Sequence, residues 1–300
     1  MEWCVEWCVE RCVERRVELT GRVAVITGAG SGFGREFARL GAARGMRLVL
    51  ADIDDTALDA IVSELRDAGS EVVGVRTDVS SEPAMQALAD ATMARFGTVH
   101  LLFNNAGVGS GGLVWESTPA DWAWVLGVNL WSVIHGIRIF TPLMLAHGEP
   151  GHIVNTASAA GLISAPNMGI YNVSKHAVVA LSETLYQDLR AVNAQIGASV
   201  LCPAFVPTGI STSHRNRPRG LRNDTPPTSS MLAAQAASVA AVAAGRISAV
   251  EVAAMTFEAI AERRFYVVPH AKILGLVQQR LSDVTTLANP SPLFGMSPQG

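Results

Sequence analysis

Lysine is almost missing from this 300-residue chain: of its 23 basic residues only Lys175 and Lys272 are lysines. A G/C-rich coding sequence accounts for such a bias in bulk. A position that keeps lysine against it is therefore one where an arginine would serve poorly. Cysteine is scarce as well. Three of the four, Cys4, Cys8 and Cys12, crowd into the first twelve residues, and Cys202 lies alone in an apolar run. That usage excludes a disulfide framework and fits a reducing cytoplasm. No apolar run approaches the ~18 residues of a membrane span, and the N-terminus is too charged for a signal peptide. A formal net charge of -3 gives no basic field for nucleic acid or anionic lipid. Aromatic residues do not alternate with arginines, and the seven histidines show no ligand spacing, so neither a nucleic-acid surface nor a metal centre is expected.

What the chain has in quantity is apolar residues, 49% of the total, enough to fill one large α/β domain or two small ones. Residues 1–19 stand apart as a four-residue near-repeat built on Glu-Trp-Cys-Val. Cys4 and Cys8 have no further ligand nearby, so the segment reads as a tail outside the fold. From Thr20 to about residue 270 short β-branched runs alternate with helical stretches. Strands are expected at Val23–Thr27, Arg47–Ala51, Val72–Arg76, Val99–Phe103, Ile153–Thr156, Ser199–Leu201 and Phe265–Val268. The notable helices fall at Ala120–Met144 and Tyr171–Val192. This rhythm predicts a doubly wound parallel sheet with helices on both faces. The stretch from about 209 to 231, rich in Arg, Pro, Ser and Thr, reads as a long substrate loop. Residues 271–300 carry one apolar helix and a Pro/Ser-rich end.

Between the first strand and first helix runs Thr27-Gly28-Ala29-Gly30-Ser31-Gly32-Phe33-Gly34. Glycines there let the backbone approach a pyrophosphate, and the helix N-terminus offers free N–H groups and a positive dipole end. A tight structural turn would use the same glycines; the strand before and the helix after favour the nucleotide reading. Asp52 ends the second strand, where a carboxylate would bond ribose hydroxyls and repel a 2′-phosphate. No basic residue flanks it, so NAD is favoured over NADP. Alternatively Asp52 caps its own turn, and Asp54 or Asp55 the next helix.

Tyr171 and Lys175 are one helical turn apart on one face. A lysine ammonium there would stabilise a tyrosinate, which near neutral pH needs a shift of about 3 pKa units, or about 4 kcal/mol. Ser158 follows a strand end, where sites of open α/β sheets gather. In combination, the glycine turn, Asp78-Val79, Asn104-Asn105-Ala106-Gly107, Asn129, Ser158, Tyr171 with Lys175 and Pro203 through Thr208 resemble the short-chain dehydrogenase/reductase family over residues 20–270.

That resemblance implies a Rossmann-type three-layer α/β sandwich on a seven-stranded parallel sheet, assembled as a homotetramer or homodimer. It implies an oxidoreductase that moves a hydride between NAD(H) and a secondary alcohol or ketone. Tyr171 would be the acid/base, Ser158 would orient the substrate oxygen, and Lys175 would bind the nicotinamide ribose and lower the tyrosine pKa. Asn129 would hold a water linking Lys175 to solvent. Gly28, Ser31, Gly32, Phe33 and Gly34 would cradle the cofactor, Asp78 and Val79 its adenine. Asn105, Ala106 and Gly107 would line it, and Pro203, Val206 and Thr208 would meet its nicotinamide end. The family usually has Pro-Gly where this chain has Pro203-Ala204, which puts substrate size in doubt.

The pocket is expected from Ala159–Leu162, Met168, Phe205 and the 210–231 loop; the first group is mostly apolar, and Arg215, Arg217, Arg219 and Arg222 read as a solvated mobile lid or, alternatively, meet an anionic substrate. Trp115, Trp122, Trp124 and Trp131 read as core or subunit-interface packing. An NADPH-dependent ketoreductase is the rival enzyme reading, and a non-catalytic nicotinamide-binding sensor the rival outside catalysis.

Overall fold

A computed structural model describes residues 18–293. Cys4, Cys8 and Cys12 lie outside the described residues. Seven strands form one parallel sheet: β1 (Val23–Thr27), β2 (Arg47–Asp52), β3 (Val72–Arg76), β4 (Leu101–Asn104), β5 (Gly151–Thr156), β6 (Ile196–Leu201) and β7 (Tyr266–Val267). Their spatial order is β3-β2-β1-β4-β5-β6-β7, every neighbour parallel. This is the doubly wound arrangement, and its direction reverses between β1 and β4.

Strict alternation along the strands sorts side chains into two cores. Ala24, Ile26, Leu48, Leu50, Leu101 and Phe103 face one side, where they meet Phe37 and Phe257. Val25, Val49 and Leu102 face the other and meet Met85, Leu88 and Phe140. The first layer is covered by α1 (Gly32–Ala43), α2 (Asp55–Asp67) and α8 (Ala249–Ala261), the second by α3 (Glu82–Phe96), α5 (Ser132–His147) and α6 (Gly169–Ala191). Leu19 is buried in the first core, so packing reaches at least one residue before the expected boundary at Thr20.

The helix expected over 120–144 is interrupted. It comprises α4 (Pro119–Leu126), a π-turn at Gly127–Trp131, and α5. A capping box between Thr118 and Asp121 starts it, and Gly148 in the left-handed region ends it. Together Pro119–His147 is long and apolar enough to cross a membrane by length and composition. Here it is a core helix packed on α3, α6 and β4.

The expected loop over 209–231 also carries more structure than its composition suggests. It forms 3-10 turns at Gly209–Asn216 and Arg219–Leu221 and then enters α7 (Ser229–Ala243), capped by Thr228. The alanine-rich α7 has apolar residues on every side, so no amphipathic period marks it. The final helix, α9 (Lys272–Thr285), anchors through Ile273.

Candidate active site

The C-terminal ends of β1, β4, β5 and β6 open into one cavity of about 730 Å³. It runs from Asp52 past the Gly28–Phe33 turn to Ser158, Tyr171 and Lys175. At the Asp52 end, the carboxylate accepts the Gly30 N–H at 2.8 Å and the Asp54 N–H at 3.0 Å. Asp54 caps α2 by accepting from Ala57 N–H. The capping alternative is realised, with Asp52 bracing its turn and Asp54 capping α2, and Asp52 also lines the cavity. Asp78 is held similarly, accepting from the Ser80 N–H and hydroxyl, with Val79 buried beside it.

In the glycine turn, Gly28 and Gly32 adopt left-handed φ of 65° and 51°, which glycine alone adopts without strain. Ser31 at the N-cap of α1 makes no side-chain cap bond, and the first turn carries no acidic residue. The N–H groups of that turn are left for a ligand. A knot on Thr27 fastens the turn to β4. Its hydroxyl donates to Phe103 O and accepts from the Asn105 and Ala106 N–H groups, while the Asn105 amide donates to Thr27 O. Thr27 opens the glycine motif, but its sequence gave no sign of this tie, because its partners lie 76 residues or more away.

At the other end, Tyr171 and Lys175 project from α6, both buried. The lysine Nζ donates to Thr156 O at 2.9 Å and stands 5.8 Å from the Tyr171 ring centroid. Burial pushes the lysine pKa down to about 8. Burial also pushes the phenol above its ordinary value, against a smaller downward pull from Ser158. Burial thus leaves the phenol above its ordinary value, and a positive charge placed beside it would act in the opposite direction. Ser158 Oγ donates to Pro203 O at 3.3 Å and accepts the Ala160 N–H. Asn129 lies in the π-turn, fully buried, its amide clasping the Val108 N–H and C=O and donating to Ser174. A Cβ on Gly107 would lie 3.4 Å from Asn129 Oδ1 and 3.6 Å from Lys175 Nζ, so the two side chains flank that glycine.

The buried ammonium has a measurable consequence for stability. Lys175 folded near 8 against an ordinary 10.5 means that the unfolded chain binds more protons between those values. Wild-type stability should therefore rise as pH increases from about 8 to 10.5. Lys175→Met removes the buried charge and leaves Thr156 O without its donor. The first effect outweighs the second, giving a net gain of roughly 1–2 kcal/mol at pH 7. Urea unfolding midpoints at pH 7 and 10 check this; a less stable variant at pH 7 would contradict it.

Ala204 lines the cavity and also packs behind it. It has no left-handed φ, its N–H donates to His270 Nδ1 at 3.2 Å, and it packs with Ala159, Ile163 and Ile273. Its methyl belongs to the seat of α9, so glycine is not required there. Pro203, Val206 and Thr208 follow along the cavity wall.

The apolar end of the cavity is lined by Met168 and Phe205, as expected, and by Ile163 rather than Leu162. Trp124, Ile273 and the Ala233–Val242 face of α7 complete it. Sequence reading missed these three because each arrives from a distant element. Of the four tryptophans only Trp124 joins the cavity; Trp115 and Trp131 are exposed.

The 209–231 segment is not a solvated strap. Ser213 accepts the Gly109 N–H, Arg217 pairs with Asp121 at 2.7 Å and covers the Trp124 ring, and Asn223 bonds Asp121. Thr228 and Ser230 both donate to Glu116. Arg215, Arg219 and Arg222 are exposed, as expected of a solvated face, although Arg215 also lines the cavity.

Comparisons with known proteins agree with this geometry. The profile of the short chain dehydrogenase family matches residues 22–219. The crystal structure of a short chain dehydrogenase/reductase from Burkholderia phymatum in complex with NAD superposes with a TM-score of 0.92. It shares 59% identity, covering 93% of this chain and 99% of that one. A CLA biosynthesis dehydrogenase/reductase of Lactiplantibacillus plantarum is 33% identical over 272 residues, 90% of this chain and 95% of that protein. A 1-deoxy-11-beta-hydroxypentalenate dehydrogenase of Streptomyces exfoliatus is 31% identical over 276 residues, 90% of this chain and 92% of that protein. With its fold, its glycine turn and the match over two thirds of its length, this chain belongs to the short-chain dehydrogenase/reductase family.

Proposed function

We propose that the protein is an NAD-dependent oxidoreductase interconverting a secondary alcohol, apolar in its larger part, and the matching ketone. The observation that carries this reading is the joining of two unlike ends in one cavity. Asp52 and the open glycine turn stand at one end, and Ser158, Tyr171 and Lys175 at the other. The cradle fits a dinucleotide: a Cβ on Gly30 would lie 2.9 Å from Asp52 Oδ2, so only glycine leaves that approach open. Asp52 would receive the adenosine ribose hydroxyls, with Asp78 and Val79 beside the adenine. Gly28, Ser31, Gly32, Phe33 and Gly34 would face the pyrophosphate. Asn105, Ala106, Gly107, Pro203, Val206 and Thr208 would line the way to the nicotinamide. The relative of known structure that binds NAD supports this choice of cofactor.

The bound nicotinamide would supply the hydride acceptor for alcohol oxidation, and its positive ring a charge beside Tyr171. The protein's own work is proton handling. Ser158 would hold the substrate oxygen, and Tyr171 as phenolate would take the hydroxyl proton while the carbinol C–H leaves as hydride. Lys175 would hold the nicotinamide ribose and stabilise the phenolate. Asn129 would fix the 107–109 segment beside Lys175 and support a proton path from it. In reduction each transfer runs backwards.

Asp52→Ala tests the cofactor end. In a fluorescence titration wild type should bind NADH more tightly than NADPH. The variant should bind NADH about tenfold more weakly, the worth of about 1.4 kcal/mol of lost hydrogen bonding, and lose much of its preference. Tighter NADPH binding by wild type would overturn the assignment. Turnover of small polyols alone would overturn the apolar substrate. Assembly as a dimer or tetramer is part of the proposal: Trp131 at the start of α5, Leu145 within it and Val173 on α6 leave apolar side chains exposed. A cytoplasmic location rests on the cysteine usage.

A further inference from the structure

Among the arginines of the 209–231 segment, Arg217 has a carboxylate partner within the fold, whereas Arg215 is held by oxygens that carry no charge. Its guanidinium donates to Thr212 O and Thr212 Oγ1, each at 3.2 Å, and reaches Gly209 O at 3.5 Å. Those contacts fold the side chain back over the start of the segment, and the start of the segment lies over the glycine turn. A Cβ on Gly32 would meet the Thr208 side chain at 3.3 Å. A Cβ on Gly209 would lie 3.8 Å from Arg215 Nη1 and 3.9 Å from both Arg215 Nη2 and Ser31 Oγ. The guanidinium and the N-cap of α1 therefore share one small region of the cavity wall, and Arg215 lines that cavity.

We infer that Arg215 is a positioning residue for the dinucleotide: it closes on the pyrophosphate from the substrate segment, opposite the N–H groups of α1. The inference rests on the cofactor reading proposed above. A planar guanidinium presents parallel N–H donors that match two phosphate oxygens, and one bound to backbone carbonyls retains unused donors. The N-terminus of α1 supplies partial positive charge, and no acidic residue in its first turn opposes it. A dianion between the two would join the segment to the turn. The same segment carries Ser213 and Arg217, which are already tied to Gly109 and Asp121 beside the substrate cavity. Cofactor binding and the shape of the apolar pocket are thereby coupled through one stretch of chain.

Arg215→Gln keeps a side chain that can bond Thr212 and Gly209 and removes the charge. NADH titrations with wild type and variant at low and high salt are the first measurement. Hydrogen exchange over 209–222 with and without NADH is the second. The variant should bind NADH about tenfold more weakly, with a shallower salt dependence. ADP-ribose, competed against NADH, should weaken to the same degree. Cofactor should slow exchange over 209–222 in wild type but much less in the variant, and the cofactor-free exchange of the two should agree. Arg215→Lys should recover part of the affinity.

Equal NADH affinity and salt dependence in wild type and Arg215→Gln would overturn the inference. Faster exchange in the cofactor-free variant would likewise overturn it, by assigning Arg215 to the segment's own structure. Failure of wild type to bind either NADH or NADPH would instead sink the cofactor reading.

Discussion

Tyr171→Phe is expected to lower turnover about 10³-fold in both directions while changing NADH affinity less than twofold. The phenol lies at the cavity end away from Asp52 and the glycine turn, so removing its oxygen spares the contacts proposed for most of the cofactor. What it removes is the proton acceptor. A non-catalytic sensor would show a different result: phenylalanine in a buried site would leave ligand binding and output alike intact.

The pH dependence carries the sign of the same argument. Alcohol oxidation needs the phenolate, so kcat/KM for oxidation should rise with pH to a plateau, and that for reduction should fall. A Lys175 ammonium 5.8 Å from the Tyr171 ring centroid would favour the phenolate, whereas burial raises the phenol's pKa. Removing the charge with Lys175→Met should move the oxidation profile to higher pH, toward or beyond the ordinary tyrosine value of about 10. A rate profile for Lys175→Met superimposable on wild type would show that the lysine does not act through the tyrosine. Full activity in Tyr171→Phe would remove the tyrosine from the chemistry altogether.

The strands were legible because short apolar, β-branched runs are a local property. Val23–Thr27 could be read from five residues, whereas its register with Val49 and Leu102 comes only from the folded sheet. The positions around the glycine turn and the Tyr171–Lys175 pair were legible because chemistry there depends on spacing along one turn or one helix. The π-turn holding Asn129 was not, since one extra residue in a helical turn scarcely changes the apolar period. The pocket's outer wall was not either. Ile273 reaches Ala159 and Ile163 from more than a hundred residues away, and Arg217 finds Asp121 across 96. Local composition made the 209–231 segment look solvated. Its polar side chains instead find partners on the 109–121 segment, and pairing of that kind is settled only by the folded topology.

Gly34→Ala should abolish measurable NADH binding, weakening it by more than about a hundredfold, although alanine is the better helix residue by about 1 kcal/mol. Gly34 sits in the first turn of α1, where a Cβ would drive into Gly28 O, well inside contact distance, and lie 2.7 Å from Asn105 Nδ2. Neither neighbour can yield cheaply. Gly28 O belongs to a backbone fixed at φ 65°, and Asn105 is tied to Thr27 O at 2.9 Å. Overpacking against backbone costs about 1–3 kcal/mol or more, which exceeds the propensity gain, so either the turn or α1 must shift. A shift of the turn displaces the N–H groups proposed to meet the pyrophosphate, and it loosens the Thr27 knot between β1 and β4. The variant should therefore also melt several degrees lower. Gly220→Ala is the control, because no atom lies within 4 Å of its Cβ position. It should melt and bind NADH as wild type does. Undiminished NADH binding by Gly34→Ala would mean that the turn relaxes without cost, and the close approach of Gly34 to Gly28 would then have no part in holding the cofactor.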